Sequence, residues 1–109
     1  MERILQLTNE LADEFINSGL YKEYNRLKVS LEDNPELKVK IDEFKIKSES
    51  YEIKLLQTGE DSFDEEKIVS SLYSEVMLYE DGKLYLDAEK KLYGLLDQMF
   101  TILENRCRL

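Results

Sequence analysis

Between Pro35 and Gly59 the chain interleaves apolar and charged residues without a break, and the apolar ones fall on two opposite sides of one helix. Leu37, Ile41, Phe44, Tyr51 and Leu55 follow alternating steps of three and four, with Ser48 at the one weak position. That spacing is the seam of a packed helix. Val39, Ile46 and Ile53 recur every seven residues and lie about 160–200° from the seam at roughly 100° per residue. One apolar stripe packs a helix within its own domain, whereas a second stripe calls for a second partner. Either another helix of the same chain covers it, or another copy or a different subunit does; the small chain favours the intermolecular contact. Full burial of three such side chains contributes roughly 1.5–3 kcal/mol each, before association costs.

The rest of the pattern adds four helices. The first spans about Glu2 to Asn17, with Ile4, Leu7, Leu11 and Phe15 on one stripe and Leu5, Ala12 and Ile16 beside it. Ser18 suits an N-cap, and Leu20, Tyr24, Leu27 and Leu31 continue at helical spacing. Ser18-Gly19 is therefore a break or a kink. Asn34-Pro35 starts the long helix and Thr58-Gly59 ends it, because Asn accepts from an orphan donor, Pro needs none, and Gly takes a left-handed cap. At roughly 1.5 Å per residue this helix is about 35 Å long. Ser62 with Glu65 matches a capping box for the next helix. There Val69, Leu72, Val76 and Tyr79 form the main stripe, with Ile68, Tyr73 and Met77 alongside, and Asp81-Gly82 is expected to stop it.

The last helix runs from about Lys83 to Asn105. Tyr85, Ala88, Leu92, Leu95, Met99 and Ile102 make its seam, and Leu86, Tyr93, Leu96, Phe100 and Leu103 widen it to half the cylinder. It is expected to be buried over that broad face. The fold class expected is all-α: a bundle of four to five helices, two of them long, in antiparallel hairpins, oligomeric, with one domain over residues 1–109.

Composition narrows the function. With 109 residues, 42% hydrophobic and 36% charged, the chain is a folded, helix-rich protein with room for one core. No run approaches the roughly 20 apolar residues of a membrane span, and Met1 to Glu10 is not signal-like, so a cytoplasmic protein is expected. The net charge of −9 repels nucleic acid. Lys38, Lys40, Lys45, Lys47 and Lys54 do not reverse this, because Glu36, Asp42, Glu43, Glu49 and Glu52 neutralise them. A direct RNA-binding accessory role stands as the alternative.

Cys107 is the only cysteine and there is no histidine, which removes the usual triads, zinc sites and most general-base chemistry. No enzymatic activity, cofactor or metal is expected. The acidic run Glu60, Asp61, Asp64, Glu65 and Glu66 lacks the alternation and central glycine of a calcium loop, and suits the positive end of a helix dipole. Asp42 with Glu43 and Glu49 with Glu52 read as exposed helix charges. Most of the seven tyrosines sit at helical spacing with apolar neighbours, as core-edge packing requires; Tyr21 and Tyr73 are candidates for protein contact.

Landmarks spread over about residues 3 to 105 resemble the YlbF/YmcA family of small helical bacterial regulators. They begin at Leu11-Ala12, run through Ser18-x-x-Tyr21-x-x-Tyr24, Asn34-Pro35-Glu36-Leu37, Ile41-Asp42-Glu43-Phe44, Tyr51-Glu52 and the Gly59 turn, and close with Tyr85-Leu86-x-Ala88-Glu89-x-x-Leu92. The resemblance implies an all-helical protein that oligomerises and acts through partners. Better-known relatives join a three-protein complex that promotes competence, sporulation and biofilm formation and influences RNA processing by ribonuclease Y. Some such complexes are linked to iron–sulfur clusters held by cysteines; this chain has only Cys107.

The expected function is thus a non-enzymatic cytosolic regulator or adaptor. It would act by helix-mediated self-association, as a homodimer or higher oligomer, and by binding a protein partner, by resemblance in a regulatory complex associated with ribonuclease Y. Val39, Ile46 and Ile53 are the expected interface residues, followed by Tyr73 and Met77.

Overall fold

The computed structural model describes residues 2–109, in which five α-helices and one 3-10 turn leave only short connections, with no strand among the described residues. The helices are α1 (Glu2–Ile16), α2 (Gly19–Ser30), α3 (Pro35–Thr58), α4 (Phe63–Met77) and α5 (Glu80–Cys107), with the 3-10 turn at Leu31–Asp33. The chain forms two compact units. Met1–Lys28 with Tyr85–Leu109 make one, holding α1, α2 and most of α5; Val29–Leu84 make the other, holding the 3-10 turn, α3, α4 and the start of α5.

The breaks follow from local chemistry. Ser18 separates α1 from α2: its hydroxyl donates to the Phe15 carbonyl at 2.7 Å and accepts from the Tyr21 amide at 3.2 Å. Asn34 caps α3, its Oδ1 accepting from the Leu37 amide at 3.3 Å, and Pro35 opens the helix. Gly59 closes α3 at φ 69°, its amide donating to the Leu55 carbonyl at 2.8 Å. Ser62 accepts from the Glu65 amide at 3.4 Å, but the Glu65 carboxylate pairs with Lys54. Only Ser62's half of the expected capping box is found; Glu65 instead ties α4 to α3.

In the second unit Leu31, Leu37, Ile41 and Val76 are buried. The Tyr79 hydroxyl donates to Glu36 at 3.3 Å, Lys40 pairs with Glu75 at 3.6 Å, and the Phe44 and Tyr73 rings lie 5.5 Å apart. As α3 numbers rise along this series, their partners' numbers fall.

Gly82 has a different role from the one its sequence suggests. The α4 helix ends at Met77 and α5 starts at Glu80, so Asp81-Gly82 lies inside the first turn of α5 and stops nothing. A Cβ at Gly82 would meet the Val76 carbonyl oxygen at 2.6 Å, Val76 Cγ1 at 2.9 Å and Leu37 Cδ1 at 3.1 Å. The glycine is there so that α5 can begin tight against the end of α4 and the buried Leu37.

In the first unit Leu27, Tyr85, Ala88 and Leu92 are buried. The Tyr24 and Tyr85 rings stack with centroids 5.6 Å apart, Lys28 lies over Tyr24 at 5.9 Å, and the Tyr85 hydroxyl donates to Glu89 at 3.0 Å. Burial, then a hydrogen bond with Tyr24, pushes the Tyr85 phenol above its ordinary range. The expected broad burial of α5 is not found. Its buried residues are Gly82, Tyr85, Ala88 and Leu92, all in the first half of the helix, while Tyr93, Phe100, Ile102 and Leu103 are exposed. No residue of α1 is buried, although its apolar stripe is as regular as the sequence indicates. Three helices present more apolar face than a unit this small can cover.

Candidate protein-interaction site

Val39, Ile46 and Ile53 stand 55%, 65% and 47% exposed. At about 10.5 Å per heptad they form a line roughly 21 Å long. Side chains three and four residues apart are neighbours on a helix, so Asp42 and Glu43 fill the interval between Val39 and Ile46, and Glu49 with Ser50 that between Ile46 and Ile53. All four are exposed. The line is therefore apolar along its crest and rimmed mainly by carboxylates.

Tyr73 and Met77 do not extend this line. Tyr73 is 45% exposed, but its ring rests on Phe44, which belongs to the packed seam and sits about 200° round α3 from Ile46. Met77 is half-buried. The five residues expected to form an interface thus divide into the α3 line and a separate pair on α4.

Where α3 meets α4, a polar hollow of about 370 Å³ is lined by Tyr51, Lys54, Asp61, Ser62 and Glu65, among others. Its polar groups satisfy one another: Tyr51 donates to Asp61, and Lys54 pairs with Glu65. The hydrogen bond to Asp61, with the negative charge around it, pushes the Tyr51 phenol up to about 12. No three His, Cys, Asp or Glu side chains among the described residues gather as a metal-binding group. Cys107 is exposed.

A second apolar surface lies in the first unit, on residues the periodicity assigns to a core. Ile4, Leu5, Leu11 and Ile16 on α1 are 47–64% exposed, and Phe100 and Leu103 on α5 are 61% and 54% exposed. Between the two helices runs an apolar groove of about 320 Å³, lined by Leu11, Ala12, Phe15, Leu96 and Met99 with Thr8 and Ile16. The signal for it in the sequence is quantity: two half-cylinders of apolar residues, with only the short α2 to share them.

Residues 4–107 match the family described as Control of competence regulator ComK, YlbF/YmcA. The chain belongs to that family. No curated protein matches it, and no solved structure does. The YlbF/YmcA match takes in parts of all five helices, and so includes both the α3 line and the apolar groove. No helix among the described residues is long and apolar enough to cross a membrane.

Proposed function

We propose that this YlbF/YmcA-family chain is a cytoplasmic, non-enzymatic regulator, one domain over residues 1–109, that self-associates and recruits a protein partner through helix faces. The α3 and α4 helices form an antiparallel hairpin in this reading. Val39, Ile46 and Ile53 make the principal contact, and Tyr73 and Met77 a subsidiary one. The family description supports a part in the control of competence; association with ribonuclease Y and a role in RNA processing and developmental programmes extend it.

The observation that carries the reading is the exposure of the α3 line on a helix whose opposite seam is already packed. About half of each side chain remains to be buried, which contributes roughly 1 kcal/mol apiece. That sum is small beside the freedom lost on association, so the carboxylate rim supplies steering and selection. The partner that fits is an apolar ridge with basic flanks.

The test is affinity capture of tagged wild type and Ile46→Asp from the native cell, with far-UV circular dichroism of both proteins. The variant is expected to keep its helicity and lose the partner, ribonuclease Y among the proteins scored. Retention of the same partners in the same amounts by Ile46→Asp overturns the reading.

A further inference from the structure

We infer that the protein partner recruited through the α3 line also places a carboxylate in the recess between α3 and α4, where it pairs with Lys47 and its carrier covers Ile68. The inference rests on the partner binding proposed for the α3 line and deepens it, naming a second point of contact and the chemistry that point accepts.

Lysines recur on α3 at the heptad positions Lys40, Lys47 and Lys54, so they stack along one side of the helix. That side borders α4. Lys40 pairs with Glu75 at 3.6 Å, and Lys54 pairs with Glu65. Lys47 lies between these two rungs and makes no ion pair with any described residue, Glu43 one turn earlier included. The sequence of α4 explains the gap. Partner numbers on α4 fall as those on α3 rise, so the residues level with Lys47 lie midway between Glu75 and Glu65. None of Ile68, Val69, Ser70, Ser71 and Leu72 is acidic.

Lys47 instead lines a recess of about 220 Å³ with Ser50, Tyr51, Glu65, Ile68 and Val69. Tyr51 donates to Asp61 and Glu65 holds Lys54, so both are already engaged. What remains for a ligand is the Lys47 ammonium beside Ile68, which is 51% exposed. A lysine stem on apolar surface with its head in water is ordinary. Here the head stands between two closed rungs, and an incoming carboxylate gains a charge-assisted hydrogen bond while the chain that carries it buries apolar surface.

The recess and the α3 line are one surface. Ser50 belongs to both, lining the recess and filling the interval between Ile46 and Ile53. Charge then orders the partner's residues across the contact. Asp42, Glu43 and Glu49 on the rim call for basic residues beside its apolar ridge. Lys47, about 100° round the helix from Ile46, calls for one acidic residue beyond them on the α4 side. A phosphate backbone would reach Lys47 only past the rim carboxylates, and a free anion would leave Ile68 in water. A protein side chain meets both conditions.

The test uses the protein that wild type captures, purified and bound to the full chain. A water-soluble carbodiimide joins an amine to a carboxylate only where they touch, and peptide mass spectrometry should find Lys47 joined to an Asp or Glu of the partner. This needs no variant that might misfold. In titration calorimetry Lys47→Glu should weaken binding roughly tenfold. Ile68→Glu supplies the missing rung from the chain itself, so it should weaken partner binding by a similar factor while the urea midpoint of the free protein holds level or rises. Wild-type affinity in both variants, with Ile46→Asp still abolishing binding, overturns the inference and leaves the α3 reading standing. Binding that survives Ile46→Asp overturns the α3 reading and this inference with it. A Lys47 link to a second copy of this chain, with none to the partner, refutes the assignment of the occupant.

Discussion

Replacing Gly82 by alanine isolates the junction between α4 and α5. In an open helical site the change is favourable, because alanine loses less backbone freedom, by roughly 0.5–1 kcal/mol. Here the added Cβ would sit 2.6 Å from the Val76 carbonyl oxygen. That atom is backbone, already accepting from the Tyr79 amide at 3.1 Å, and cannot swing aside as a side-chain tip would. Leu37, fully buried, closes the other side. Overpacking of this kind costs about 1–3 kcal/mol, so the net expected loss is roughly 0.5–2 kcal/mol. For a chain of this size each kcal/mol shifts Tm by about 4–8 °C. Gly94→Ala is the matched control, since nothing lies within 4 Å of its Cβ position in the same helix. It should raise stability by roughly 0.5–1 kcal/mol. Thermal and urea unfolding by circular dichroism, at one fixed protein concentration, should give the two variants opposite signs. If Gly82→Ala stabilises as Gly94→Ala does, the close-approach explanation is wrong.

Asn34→Ala removes the cap of α3 and should cost about 1 kcal/mol in urea unfolding; an unchanged midpoint would show that the Leu37 amide finds another acceptor. The Tyr51 phenol, raised from 10.0 to about 12 chiefly by its hydrogen bond to Asp61, has a sign that can be read directly. A raised phenol favours the folded state fully below pH 10 and loses that contribution as pH climbs through about 12. Asp61→Asn should return Tyr51 toward its ordinary ionisation in an ultraviolet titration, and an unmoved curve would remove Asp61 as the cause.

Helix ends were the most legible part of this molecule. Ser18, Asn34-Pro35, Gly59 and Ser62 each act on atoms within four residues of themselves, so their meaning is contained in a short window of sequence. Asp81-Gly82 misled for the complementary reason. A glycine that ends a helix and one that admits a neighbour look alike, and the difference depends on Leu37, far away in the chain. The two stripes of α3 were also legible, because period alone separates them by half a turn. Tyr73 was harder: its spacing beside the main stripe does not reveal that its ring settles on Phe44. On α1 and α5 the sequence marks which side is apolar, but says nothing of how many helices must gather to cover it. Coverage is a property of three-dimensional packing, not of periodicity.

No side chain of the amino-terminal helix is fully buried, and Phe15 alone is half-covered. A fifteen-residue helix is marginal without tertiary support, so its order is borrowed from whatever lies on its apolar side. If that lender is another protein molecule, its abundance becomes a structural variable. Scarce partners leave a frayed leading end open to peptidases, plentiful ones shield it, and the partner's rate of synthesis sets the lifetime of this chain.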